Sequence, residues 1–344
     1  MKVIDFRSDT ITLPSEKMRE AIASARLGDD VFSEDPTVNE LEQIASKVTG
    51  KDAALLVPSG TMGNLISILV HSNRGTEVIL GDRSHTFLYE AGGISAFGGV
   101  HSRQLYNNDD GTIDICNIEA AIRSDDIHFP RTSLISIENT HNMCLGSPLS
   151  ISYLQDLASL AKKYNLPVHM DGARVFNASV SIDVSIDEIA NTVSSLTFCL
   201  SKGLSSPVGS VLCGDKDFID EARRMRKALG GGMRQAGVIA ASGIVALDTM
   251  IDQIKDDHQN AKILAKSLSE IDCVELNPDK IHTNIIYFTI TGSDLSDSQI
   301  VQSMGNEGIK FFDVSKNRFR LVTHYGITRD DIQHTIEKFI KVLG

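Results

Sequence analysis

The sequence predicts an α/β protein with a large part built on a mostly parallel sheet sandwiched by helices and a smaller C-terminal α/β part. Two patterns predict this. Short apolar runs rich in branched residues alternate with amphipathic stretches, the signature of strands alternating with helices. The runs are apolar throughout rather than at every second residue, so both faces of their sheet must be covered. Length agrees, because 344 residues exceed the roughly 100 to 200 of a single ordinary domain.

The strand candidates are Ala53 to Val57, Val78 to Leu80, Leu134 to Ile137, Val168 to Met170, Leu196 to Leu200 and Ser210 to Leu212, each followed by a polar or glycine-bearing turn. Between them Val38 to Val48, Thr61 to His71 and Leu154 to Tyr164 carry apolar residues at helical spacing. From Gly230 a glycine run leads into one long helical pattern reaching about Ser269. Later come strand candidates Asn284 to Thr289 and Phe319 to Val322, and an amphipathic helix over Asp330 to Val342. The expected division is residues 1–246, with an N-terminal arm, and 247–344.

Composition excludes several classes. Hydrophobic residues at 42% and charged residues at 23% match neither a disordered nor a fibrous chain. A formal charge of -12 opposes nucleic-acid backbones, so no nucleic acid is expected as a partner. The longest nearly apolar stretch, Ala236 to Leu247, falls short of the roughly 20 residues of a membrane span. Asp5, Arg7 and Asp9 stand where a secretory signal would be apolar, so the expected location is the cytoplasm. Cys116, Cys144, Cys199, Cys213 and Cys273 lack the close pairing of zinc or redox motifs and read as buried free thiols. No metal site is expected.

Ligands of α/β sheets bind beyond the carboxyl ends of the strands, so polar residues there are the candidates. Pro58 to Asn64 opens a helix after a strand and offers free N–H groups and a hydroxyl to an anion at Gly60 and Thr61. Thr61 or Ser59 can equally be a helix cap, with Gly60 serving a turn. Asp171 ends the next candidate, with Arg174 three residues on, and an aspartate before glycine is often only a turn. Lys202 follows the strand ending at Leu200, where a lone lysine is ordinarily solvated. Together an anion cradle, an aspartate and a lysine are the parts that hold pyridoxal 5'-phosphate: a carbonyl-binding amine, a partner for the pyridinium nitrogen, and a phosphate anchor.

These residues also lie in segments that resemble the low-specificity L-threonine aldolases, pyridoxal-phosphate enzymes of fold type I. The matching segments are DFRSDTIT, GDDVFSEDPTVNELE, VPSGTMGN, HFPRTSLISIENTHN, HMDGARVFNA, FCLSKGLSSPVGS, LGGGMRQAG and RLVTH, and they span nearly the whole chain. The resemblance implies that Lys202 binds the cofactor, Asp171 pairs with its ring nitrogen, His85 stacks on its ring, and Gly60 and Thr61 hold its phosphate. It implies that Arg174, Arg320 and Ser8 bind the substrate carboxylate and that Arg234 reaches the phosphate of a neighbouring subunit in a homotetramer, a dimer of dimers. Lys227 either lies nearby or is a solvated helix residue.

The implied reaction is retro-aldol cleavage of threonine to glycine and acetaldehyde, with His85 or His128 as the base, directly or through a water. Another pyridoxal-phosphate lyase is the alternative. The chain departs from the family after THN: it reads Met143-Cys144-Leu145-Gly146-Ser147-Pro148-Leu149 where a glycine pair is usual, which bears on side-chain selectivity.

Overall fold

The computed structural model describes residues 2–343. The chain opens on a two-residue strand, β1 (Ile4–Asp5), and then builds β2 (Ala53–Val57), β3 (Glu77–Gly81), β4 (His101–Leu105), β5 (Thr132–Glu138), β6 (Val168–Asp171), β7 (Ser195–Cys199) and β8 (Ser210–Gly214). The last seven form one sheet in the order β2-β8-β7-β6-β5-β3-β4, in which only β8 runs against the others. Strands β2, β3, β7 and β8 are apolar because helices cover both faces, and all six strand candidates in this region are present. Strand β4 is absent from the sequence reading because it is a sheet edge with the polar sequence His101 to Gln104, held through Arg103 and His101 on buried Glu77.

Past residue 250 come β9 (Val274–Glu275), β10 (Ile285–Ile290), β11 (Ile309–Lys310), β12 (Phe312–Ser315) and β13 (Arg318–Val322). A four-stranded sheet has the order β12-β13-β10-β9, while β1 pairs in parallel with β11. Its core holds Phe288, Phe311, Phe319 and Phe339, and the N-terminal Ile4 and Phe6 pack there rather than in the core of the large sheet.

The long helical pattern is two helices, Gly237–Thr249 and Gln253–Leu268, bent by 69°. The break has a packing cause: Leu247 and Met250 belong to the large core, whereas Ala261, Leu264 and Leu268 belong to the smaller one. We propose that the division between the two parts falls inside Gln253–Leu268, because Ile254 still packs in the large core. Among the described residues no single helix is long and apolar enough to cross a membrane. All five cysteines are free, but Cys116 is exposed and Cys273 half-buried, so only three follow the expectation of burial.

Candidate active site

Strands β2, β3, β5, β6 and β7 point their carboxyl ends to one edge of the sheet; Glu138 and Asp171 end β5 and β6, and the segments beyond the strands carry Gly60, His85, Arg174 and Lys202. A cavity of about 440 Å³ opens there, lined by Ser8, His85, Arg174, Lys202 and Arg320 with Tyr89, Met143 and Phe312 on its more apolar side. Parallel strands with a common direction explain the convergence of residues from five distant segments.

Asp171 is buried in register with Glu138 of β5 and Thr197 of β7. Its Oδ2 accepts from Asn64 Nδ2 at 2.9 Å, and its Oδ1 from the Ala173 N–H at 3.1 Å. Asn64 also donates to Glu90 Oε1 at 2.9 Å, and Glu90 Oε1 meets His85 Nδ1 at 3.0 Å. Asp171 and His85 are thus tied into one chain through Asn64 and Glu90. Behind Asn64, Oδ1 contacts His169 Nε2 at 3.1 Å. Burial pushes the His169 imidazole down to about 3, so it is neutral, and a neutral ring with its proton on Nε2 fixes the orientation of the Asn64 amide.

Burial draws the His85 pKa down, but the Glu90 hydrogen bond and the Asp171 and Glu90 charges outweigh it and leave the ring above its ordinary value. Burial raises the Glu90 carboxyl, and the Asp171 charge adds to the rise against its hydrogen bonds to His85 and Asn64. Glu138 secures the loops: Oε2 accepts from the His85 N–H at 2.7 Å and Oε1 from the Asn142 N–H at 2.8 Å.

Arg174 is buried and held by Asp9 through two bonds, Nε to Oδ2 at 2.6 Å and Nη2 to Oδ1 at 2.7 Å. Burial alone would raise Asp9; Arg174, with Lys202 and Asn284, holds it far below the usual carboxylate range. Arg174 therefore faces the cavity with Nη1 uncommitted. Arg320 donates to the Arg7 carbonyl at 3.0 Å and to Asn142 Oδ1 at 3.3 Å, while its buried Nε has no partner. Lys202 is half-buried, and among the described residues its amine takes no hydrogen-bond or ion-pair partner.

The helix after β2 begins at Gly60 and is capped by Ser59, which accepts from the Met62 N–H at 3.2 Å. Thr61 is therefore not the cap and stands exposed at the helix start. Both glycines have a packing reason: a Cβ on Gly60 would lie 2.9 Å from Cys199 Sγ, and one on Gly63 would lie 2.6 Å from Thr197 Cγ2. This lets the helix start approach β7 closely.

Two expected residues lie elsewhere. His128 sits on an exposed loop, its Nδ1 2.7 Å from Asp126 Oδ1, and does not line the cavity. Arg234 is more than half exposed, pairs with Asp29 at 3.0 Å and lies over the exposed Phe32 ring. Lys227 lines a separate, larger cavity of about 850 Å³ with Asp30, Arg223 and Arg226. Asp9, Asn64, Glu90 and Glu138 were not singled out from the sequence. The available signal was a polar residue inside an apolar helical face for Asn64, and an acid closing the apolar run of β5 for Glu138.

The sequence pattern of the beta-eliminating lyase family matches residues 5–291, most of the chain. The chain belongs to that family. Within the beta-eliminating lyase family it is similar to low-specificity L-threonine aldolase 1 of Arabidopsis thaliana, 44% identical over 98% of this chain and 96% of that one. It is 41% identical to the low specificity L-threonine aldolase of Escherichia coli over 96% of each chain. Its fold is that of the threonine aldolase of Leishmania major, with a TM-score of 0.84 over 99% of both chains at 19% identity.

Proposed function

We propose that this member of the beta-eliminating lyase family is a pyridoxal-phosphate-dependent L-threonine aldolase of low specificity. It cleaves L-threonine, L-allo-threonine and related β-hydroxy-α-amino acids to glycine and the matching aldehyde. The observation that carries the reading is the convergence of a free lysine amine and two arginines on one cavity at a sheet edge, with buried Asp171 tied to the cavity-lining His85 through Asn64 and Glu90.

The residues fit the cofactor. Lys202 offers an amine with no competing partner, Asp171 a carboxylate with fixed orientation, and Gly60 with Thr61 a helix start for the phosphate. When bound, pyridoxal phosphate supplies an electron sink for the bond broken at the substrate's α-carbon. Arg320 and Arg174 Nη1 bind the substrate carboxylate with Ser8 beside them, and this sets which α-carbon bond is aligned for cleavage. His85 is held by Glu90 at Nδ1, so Nε2 is the nitrogen left to take the β-hydroxyl proton. His85 is favoured over His128 because only His85 lines the cavity.

Assembly as a homotetramer, a dimer of dimers, belongs to the same proposal, with Arg234 and Lys227 serving a neighbouring subunit. The exposed Arg234 and Phe32 suit an interface. A cytoplasmic location is also proposed, since five free thiols fit a reducing compartment. The test is to mix the protein with each threonine diastereomer and measure aldehyde and glycine, with Lys202→Ala as control. Glycine plus acetaldehyde supports the reading; a keto acid and ammonia would show β-elimination instead.

A further inference from the structure

Among the described residues, every fully buried aspartate but one has donors. Asp9 has Arg174, Asp30 has Arg226, Asp35 has the N–H groups of Thr37, Val38 and Gly237, and Asp171 has Asn64 and Ala173. Asp257, on the helix Gln253–Leu268, is 1% exposed, and neither carboxyl oxygen has a partner. It feels the charge of Asp9, the carboxylate that holds Arg174, and its backbone is linked to Asp9 through hydrogen bonds. The Asp257 carbonyl accepts from Thr323 Oγ1 at 2.7 Å, the Thr323 carbonyl accepts from Asn284 Nδ2 at 3.0 Å, and that same amide reaches Asp9 Oδ2 at 3.3 Å. The other unpartnered side-chain atoms on Asn284 and on Asn260, one turn further along the helix, are both amide oxygens. Apart from the Gln253 side chain one turn back, these neighbours offer the Asp257 carboxyl no donor among the described residues.

We propose that Asp257 keeps its proton in the folded protein and acts as a positioning residue, leaving Arg174 a single buried carboxylate partner so that its remaining charge is available to the substrate carboxylate. An ionised carboxylate buried with so little hydrogen bonding is strongly disfavoured, and a proton on it adds a donor toward the unpartnered amide oxygens. Burial, followed by the Asp9 and Asp256 charges, pushes the Asp257 carboxyl up to about 8. Gln253, one turn back, opposes this weakly.

No other group near Asp257 reverses that balance. His258, beside it, is pulled down to about 4 by burial and is neutral. The helix Val175–Ile182 packed on this one carries no acid or base, and Arg174 at its start is committed to Asp9. Strand β10 brings Tyr287 and β13 brings Arg318 and Arg320. The helix Arg329–Leu343 brings buried Asp331, paired with Lys2, and the turn Pro278–Lys280 brings exposed Asp279 and Lys280.

The proposal rests on the reading that Arg174 binds the substrate carboxylate, and its first test does not. The carboxyl is near 3.8 when unfolded and about 8 when folded, so the folded state holds the extra proton between those values. This favours folding at low pH, and the advantage is lost as pH climbs through that window. Asp257→Asn removes the effect. Measured on the protein without cofactor, the melting temperature of Asp257→Asn should exceed that of the parent by a margin that widens from pH 5 to 8 and then levels.

A margin that does not change with pH overturns the proposal. Should the variant not fold, infrared spectra of the parent serve: a protonated carboxyl band surviving at pH 6 supports the proposal, and its absence overturns it. In the loaded enzyme, KM for threonine should rise above pH 8, approaching about tenfold per unit, with kcat little changed, and Asp257→Asn should flatten that rise. A widening melting margin with a flat KM overturns the positioning role. If Arg174→Lys then also leaves KM unchanged, the assignment of Arg174 to the carboxylate is what has failed.

Discussion

Two of the molecule's charge-lined cavities differ in how far their charges are committed to one another. In the cavity of about 850 Å³, Arg223 bonds Glu42 at 2.7 Å, Arg226 bonds Asp30 at 2.6 Å and the Leu56 carbonyl at 2.7 Å, and Arg224 lies 3.5 Å from Glu221. Most of these charges serve one another, although Lys227 and the buried Arg226 Nε have no partner among the described residues. In the cavity of about 440 Å³, Lys202 has no partner, Arg320 Nε has none, and Arg174 keeps one nitrogen uncommitted. What sets the smaller cavity apart is therefore not volume but a lysine and an uncommitted Arg174 nitrogen facing one space beyond the carboxyl ends of parallel strands.

The contrast is sharpest at the lysine. Replacing Lys202 with alanine should reduce aldehyde release by about 10⁴-fold or more, because the covalent anchor is lost. The measurement is a coupled acetaldehyde assay under saturating cofactor; a loss under tenfold would erase the distinction between the cavities.

The two buried aspartates that hold arginines separate structure from function. Asp30→Ala and Asp9→Ala each leave a buried guanidinium without its partner and should each destabilise the fold by about 3–5 kcal/mol in urea titrations. Only Asp9→Ala should also raise KM, by freeing Arg174 to shift. Equal KM changes in both variants would show that the effect is general loosening.

Glu90 tests the smaller cavity from within. It lifts the His85 pKa, so Glu90→Gln should let it fall, observed as an imidazole titration midpoint moved to lower pH in NMR of the cofactor-free protein. The acid limb of the rate profile should move the same way, with a rate loss of about tenfold or less. An unmoved midpoint would detach Glu90 from the site. Least affected should be Arg224→Ala in the larger cavity, whose exposed pair with Glu221 contributes little; turnover should stay within about twofold.

Strand ends were the legible part of this site. Asp171 and Lys202 could be read because each follows an apolar run, and a parallel sheet brings such ends together whatever their separation in sequence. Arg320 was legible only through the family resemblance, since the residue by itself is one charge in a short strand. Asp9 and Asn64 were not assigned roles because their function lies in bonds to residues more than twenty positions away, which no local pattern encodes, and Glu90, though only five residues from His85, is placed by its bond to distant Asn64. The fold was read correctly where burial forces continuous apolarity and was incomplete where it does not, at the polar edge strand β4. The single long helix failed for a related reason: its apolar face continues across the break, but the core it packs against changes.

The most direct measurement of the central claim is borohydride reduction of the cofactor-loaded protein, followed by proteolysis and mass spectrometry. The account predicts a phosphopyridoxyl group on Lys202 and on no other lysine. A modification placed elsewhere, or none at all in protein that retains the cofactor, would contradict it.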